Sequence, residues 1–262
     1  MQYETLTVEV VGHVATVALN RPEVRNAFNE AMIADVTAAF TALGARDDVR
    51  AIVLAGNGKA FCAGADLNWM RKMAGYSDAE NRADAMRLAQ MLSAVYRCPK
   101  PVVARVHGDA YAGGMGLVCA ADIVVAVESA HFCLSEARLG LMPATIAPYV
   151  IRALGEQAAR RYFVTAEAFD SATAQRLGLV SEAVSAEDLD ATVQRITETL
   201  CANSPNAVRE CKRLVQDIAG QTIDDALIED TAVRIARIRA SEEGRDGVSS
   251  FLEKRTPRWR GQ

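Results

Sequence analysis

Two short segments of small residues constrain this chain more than any other feature. One runs Gly58-Lys59-Ala60-Phe61-Cys62-Ala63-Gly64-Ala65-Asp66-Leu67, the other His107-Gly108-Asp109-Ala110-Tyr111-Ala112-Gly113-Gly114-Met115-Gly116. Each follows a run rich in β-branched residues (51–54 and 102–106), and each leads into a helical pattern. A strand that ends in a Gly/Ala loop and opens a helix aims free N–H groups at one point. Small side chains let an oxygen acquiring negative charge come close to them. Two such loops can supply two donors to one oxygen, the arrangement that stabilises enolates and tetrahedral intermediates. The same pattern also serves as an ordinary turn in many α/β proteins.

The rest of the chain is read around these loops. Residues 5–11 and 14–19 flank Gly12-His13 and predict a β-hairpin. Helical spacing is expected over 26–43, a buried strand over 50–54, and a short helix from Asp66, whose plain role is an N-cap. Ser77-Asp78-Ala79-Glu80 is a capping box that opens a helix ending before Pro99. Strands are expected over 102–106, 122–127 and 131–134, with a helix over 114–120. After Pro143 the pattern is almost wholly helical. Short strands separated by helices predict an α/β fold with parallel pairing. Ile218, Ile223, Leu227, Val233, Ile235 and Ile238 are many apolar residues for a terminal segment, and predict a local core or a subunit interface.

With 262 residues, half of them hydrophobic, the chain can bury a large core. A net charge of −4 gives no basic footprint for nucleic acid. No apolar run is long enough to span a bilayer, and residues 1–10 read as neither signal nor transit peptide, so a cytoplasmic location is expected. The six cysteines, at 62, 98, 119, 133, 201 and 211, show neither zinc nor disulfide spacing. Most read as small core residues, with Cys62 expected to be partly accessible. The histidines at 13, 107 and 131 lack metal spacing, so no metal is expected.

Glu136 stands in Phe132-Cys133-Leu134-Ser135-Glu136-Ala137-Arg138, at the exit of a short strand with apolar neighbours. Burial there raises a carboxyl pKa toward the range a proton-transfer group needs. The plainer alternative is a surface glutamate paired with Arg138.

Both loops, Ala-Phe-Cys-Ala-Gly-Ala-Asp-Leu and His-Gly-Asp-Ala-Tyr-Ala-Gly-Gly, resemble the signature loops of the enoyl-CoA hydratase/isomerase (crotonase) superfamily. The resemblance runs from Asn20-Arg21-Pro22 to Phe251-Leu252-Glu253-Lys254-Arg255. It implies repeated ββα units wound into a superhelix over residues 1–200. A C-terminal helical region, 201–262, then assembles trimers, often paired as hexamers. It implies an acyl-CoA substrate, with coenzyme A as part of the substrate and no separate cofactor. The donors it implies are the N–H groups of Ala63 and Gly113, and its proton-transfer glutamate falls on Glu136. Coenzyme A contacts are implied at Val24 and Arg25 for the nucleotide, and at Ala63, Gly64, Ala65, Asp66, Leu67 and Gly113 for pantetheine and thioester. Phe251 and Lys254 match C-terminal residues near the nucleotide or its phosphate; a solvated helix end is the plain reading of Lys254.

One departure limits the carry-over. Family hydratases commonly hold a second glutamate three residues after the oxyanion glycine, and here that position is Gly116. Three routes stay open: hydration with water held by another group (Tyr111 and Asp109 are the candidates), double-bond isomerisation by Glu136 alone, or assistance from a substrate carboxylate. A finer similarity, in Gly140-Leu141-Met142-Pro143-Ala144 and Ala153-Leu154-Gly155-Glu156-Gln157, points to a bacterial subgroup. That subgroup is associated with methylglutaconyl-CoA and isohexenylglutaconyl-CoA, in leucine and acyclic terpenoid breakdown. Non-catalytic acyl-CoA or RNA binding is the reading from another class; the acidic charge and the retained loops with Glu136 oppose it.

Overall fold

The structure, a computed structural model, describes residues 2–260. Among these, the strands are β1 (Leu6–Val11), β2 (Val14–Leu19), β3 (Ala51–Gly56), β4 (Val102–Val106), β5 (Ala110–Tyr111), β6 (Ile123–Val127), β7 (His131–Cys133), β8 (Ala168–Asp170) and β9 (Glu182–Val184). The helices are α1 (Glu30–Gly44), α2 (Leu67–Met73), α3 (Asp78–Tyr96), α4 (Gly113–Ala120), α5 (Ala147–Leu154), α6 (Glu156–Thr165), α7 (Ser171–Arg176), α8 (Leu189–Ala202), α9 (Pro205–Ile218), α10 (Asp225–Ala240) and α11 (Glu242–Glu253).

β1 and β2 form the expected hairpin, with Leu6 opposite Leu19 and Val11 opposite Val14. Gly12, at φ +57°, makes its turn. β2 then pairs in parallel with β3, β3 with β4, β4 with β6, and β6 with β9. Every residue of β3 is buried, as in a strand covered on both faces. A second, smaller sheet has the order β5-β7-β8. The chain alternates between the two sheets: β4, β5, α4, then β6, β7 and a 3-10 turn at Ser135–Leu139. These are ββα units, and their stacking brings successive second strands into register: Ala110 opposite Phe132, Tyr111 opposite Cys133. A further bridge, Cys62 with Ala110, carries the smaller sheet back to the first loop.

One expectation needs correction and another an addition. The first helix begins at Glu30 rather than at 26, because Phe28 is drawn into a bridge with Ala65 and Asn29 caps the helix, accepting the Met32 N–H at 2.9 Å. The stretch after Pro143 is almost wholly helical as expected, but it also holds β8 and β9, which complete the two sheets. Three-residue strands owe their existence to long-range pairing, which local periodicity does not record.

The C-terminal helices rest on this core through a few polar ties. Lys212 Nζ donates to the Lys100 carbonyl (3.1 Å) and pairs with Asp122 (2.7 Å), and Gln216 donates to the Tyr96 carbonyl (2.6 Å). Among the described residues, none in α9 or α10 is buried, and Val215, Ile228, Val233 and Ile235 lie open. The apolar terminal segment is therefore not a core within one chain.

Candidate active site

The two loops interlock. The Cys62 amide donates to the Asp109 carbonyl (3.2 Å), and the Tyr111 amide donates to the Cys62 carbonyl (2.9 Å). A Cβ on Gly114 would stand 2.6 Å from Cys62 Cβ, so only glycine lets the loops approach this closely. Ala112 precedes α4 at φ 49°, ψ −119°, a strained conformation for a residue with a Cβ. It turns the chain so that α4 starts at once, with the Gly113 N–H in its first, unbonded turn.

The free donors differ from the expected pair in one member. The Ala63 N–H donates to the Arg25 carbonyl at 3.0 Å and is therefore taken. The Ala65 N–H, flanked by the bonds Phe28 N–H to Gly64 O (2.7 Å) and Asp66 N–H to Phe28 O (2.8 Å), has no acceptor among the described residues. Neither has the Gly113 N–H. Phe28 ties the two together, for it pairs with Ala65 and its ring lies 2.8 Å from where a Cβ on Gly113 would stand.

Arg21 and Asn26, which were not singled out in the sequence, hold the first loop. The Arg21 guanidinium pairs with Asp66 Oδ2 at 2.9 Å and donates to the Ala27 carbonyl at 2.6 Å. Asp66 Oδ1 accepts from the Asn68 and Trp69 amides, so the N-cap reading of Asp66 is correct and its carboxylate is fully engaged. Burial works to raise the Asp66 carboxyl, but the Arg21 and backbone hydrogen bonds outweigh it and hold it below the ordinary range. Asn26 is wholly buried at φ 56°, and its amide donates to the carbonyls of Asn57 (2.8 Å), Ala60 (3.0 Å) and Phe61 (3.1 Å). The available signal was the dense Asn-Arg-Pro…Asn run, since asparagine tolerates left-handed backbone.

Glu136 lies in the 3-10 turn after β7, and the Ala112 amide donates to the Cys133 carbonyl (2.8 Å), so the second loop and this turn are neighbours. Glu136 Oε2 is buried and has no partner among the described residues. Desolvation raises the Glu136 carboxyl above the ordinary glutamate range, only partly opposed by a bond to its own backbone. Arg138 does not pair with it, for its guanidinium donates to the Ala166 carbonyl. Asp109 Oδ1 accepts the His131 amide at 2.9 Å, which ties its side chain to the start of β7. The Tyr111 phenol is half-buried.

Cys62 is fully buried, not partly accessible, and burial pushes its thiol up to about 12, which removes it as a nucleophile. Gly116 is packed over: a Cβ there would run into Ile146 Cγ2 and stand 3.5 Å from Leu92 Cδ2. Clefts of about 420 and 550 Å³ lie beside and between the C-terminal helices, away from both loops. The site is therefore defined by two unpaired N–H groups and an acid with one buried, unpartnered oxygen. Val24 and Arg25 flank it before the first loop, while Phe251 and Lys254 stand exposed at the end of α11.

A family model described as enoyl-CoA hydratase/isomerase matches residues 9–262. The chain belongs to this family. An enoyl-CoA hydratase from Shewanella pealeana is 43% identical with a TM-score of 0.96, over 98% of this chain and 97% of that one. An enoyl-CoA hydratase from Mycobacterium smegmatis is 36% identical with a TM-score of 0.92, over 98% and 99%. Among curated relatives, an enoyl-CoA hydratase of Alternaria alternata is 34% identical over 247 residues, 93% of this chain and 80% of that one. The crotonase-fold expectation, ββα units followed by C-terminal helices, thus agrees with both the topology and these neighbours.

Proposed function

We propose that the chain adds water, on one face, across the double bond of an α,β-unsaturated acyl-CoA. The observation that carries this reading is the buried, unpartnered Oε2 of Glu136 beside two loops with free N–H groups at Ala65 and Gly113. The thioester oxygen accepts from both N–H groups. A water oxygen bonds to Cβ while its proton passes to the Glu136 carboxylate, and the π pair moves onto Cα and the thioester oxygen. The hydrogen bonds strengthen as this enolate forms, so they favour the transition state over the ground state. Glu136 then returns the proton to Cα. The balance is one water added and no electrons exchanged.

The filled space at Gly116 favours a second reading, in which Glu136 alone moves a proton between carbons of the bound enolate and isomerises the double bond. The finer resemblance to the glutaconyl subgroup supports 3-methylglutaconyl-CoA as substrate. Turnover of crotonyl-CoA and 3-methylglutaconyl-CoA, with products identified by mass and chromatography, tests these readings. A hydrated product with the glutaconyl thioester preferred supports hydration in that subgroup. No hydration of either, with a 3-enoyl-CoA converted to its 2-enoyl isomer, replaces it with the isomerase.

The same reading has Val24, Arg25, Gly64, Leu67 and the exposed Phe251 and Lys254 bordering coenzyme A. It has the open apolar faces of α9–α11, residues 201–262, buried between subunits of a cytoplasmic trimer or hexamer.

A further inference from the structure

Trp69 carries a buried polar atom that the fold leaves unpaired. The residue is 5% exposed, and its indole Nε1–H has no acceptor among the described residues. An indole N–H can only donate, and a buried tryptophan ordinarily finds an acceptor for it. Each exception in a native fold calls for a reason, and a ligand atom is one.

The position of Trp69 supplies that reason. It lies in the first turn of α2, and its own amide donates to Asp66 Oδ1 at 3.3 Å. Helical side chains lean toward the N-terminus, over the preceding turn. For Trp69 that turn starts beside Ala65, one of the free donors. Asp66 is locked by Arg21, so the indole and the Ala65 N–H are carried by one rigid unit. Gly116 has no side chain, and the space one would take is filled by Ile146 and Leu92. The start of α2 therefore carries a spare buried donor four residues along the chain from the free Ala65 N–H.

We infer that Trp69 is a specificity-determining residue whose Nε1–H donates to an oxygen of the acyl chain beyond its β-carbon. This rests on the acyl-CoA reading above. The acceptor is a carboxylate or a carbonyl at that position; an apolar chain of the same shape leaves the indole unpaired at a cost. A carboxylate accepts the stronger bond.

The test is equilibrium binding by calorimetry of three saturated thioesters of matched shape, glutaryl-CoA, 5-oxohexanoyl-CoA and 5-methylhexanoyl-CoA. Each is titrated into the full chain and into Trp69→Phe, which keeps a ring and removes the donor. None has a double bond to hydrate, so the result does not depend on whether the chain is a hydratase or an isomerase. The expected result is that the intact chain binds glutaryl-CoA tighter than 5-methylhexanoyl-CoA by on the order of tenfold. In Trp69→Phe that preference disappears while 5-methylhexanoyl-CoA still binds within about twofold. A preference for 5-oxohexanoyl-CoA that the variant also loses assigns the acceptor as a carbonyl. Equal affinities in the intact chain, or an equal loss for all three in Trp69→Phe, overturn the inference and leave the ring a packing residue. Failure of every thioester to bind overturns the acyl-CoA reading itself.

If Trp69→Phe does not fold, the indole N–H resonances of the intact chain decide. There are two tryptophans, and Trp259 Nε1 already donates to the Ala202 carbonyl at 3.2 Å. The Trp69 signal is expected to move downfield with glutaryl-CoA or 5-oxohexanoyl-CoA and not with 5-methylhexanoyl-CoA, while Trp259 stays as an internal reference. Identical responses to all three thioesters overturn the inference.

Discussion

Ile146 occupies the space that any side chain on Gly116 would need: its Cβ lies 2.9 Å from where the Gly116 Cβ would stand, and its Cγ2 is nearer still. The absence of the second acid is thus part of a packed wall, not an open socket. Gly116→Glu is expected to lose stability rather than gain activity. Gly116→Ala alone should cost about 1–3 kcal/mol by overpacking. Ile146→Ala removes the closest methyl, so the double variant should be more stable than the two single costs add up to. Chemical denaturation across this double-mutant cycle checks the coupling.

Glu136 gives a prediction with two signs. Its folded pKa is raised by burial, so between the unfolded value of about 4.3 and the folded value the native state holds the proton more tightly. Stability therefore falls as pH rises through that window and stays reduced above it. Glu136→Gln removes the ionisation. It should stabilise the protein at neutral pH and give no such gain below the unfolded pKa. Turnover should fall by several orders of magnitude while acyl-CoA binding is retained. In the intact chain the acid limb of kcat/KM should sit above the ordinary carboxylate range, since the base must be ionised. Melting curves at neutral and acid pH, set beside the pH–rate profile, read both effects.

Gly113 offers a separate test of the proposed oxyanion pair. A Cβ there would meet two ring carbons of the buried Phe28 at 2.8 and 2.9 Å. Gly113→Ala must move either the ring or the peptide that donates. Loss of one oxyanion donor costs on the order of 10²–10³ in kcat. The variant is expected to approach that loss with little change in KM, and Phe28→Leu in the same chain should restore part of it. Steady-state kinetics on the single and double variants distinguish a displaced donor from a weakened binding site.

Much of this architecture was legible because it is local. The hairpin, the capping box of Ser77 and Glu80, and the Asp66 cap depend on residues a few positions apart. The setting of Glu136 left a surface pair with Arg138 open, and only the family resemblance pointed to it; the absence of a partner for Oε2 needed coordinates. What stayed hidden depends on distant backbone. β5, β8 and β9 exist through pairing with strands elsewhere in the chain. The first donor shifts from Ala63 to Ala65 because the Arg25 carbonyl, presented by a left-handed turn, takes the Ala63 N–H. No property of the Ala-Gly-Ala tripeptide distinguishes those two amides. Ile146 over Gly116 was equally invisible, since the two residues are brought together only by the packing of α4 against α5.

Arg21 and Asp66 make the final prediction. Their 2.9 Å pair fixes the start of α2, and with it the Ala65 amide one residue before. The Asp66 carboxyl is held below its ordinary range, so its contribution is present above the unfolded pKa and is lost as pH falls through the folded one. Asp66→Asn keeps a good cap and a similar shape but gives up the ion pair. It should therefore destabilise the protein at neutral pH and differ little from the parent in strong acid. If the pair serves the Ala65 donor, the same variant lowers kcat by more than it raises KM. Arg21→Lys should behave likewise, because one ammonium cannot reach both Asp66 and the Ala27 carbonyl with the geometry of the guanidinium. A stability loss with unchanged kcat in both variants would restrict the pair to holding the fold.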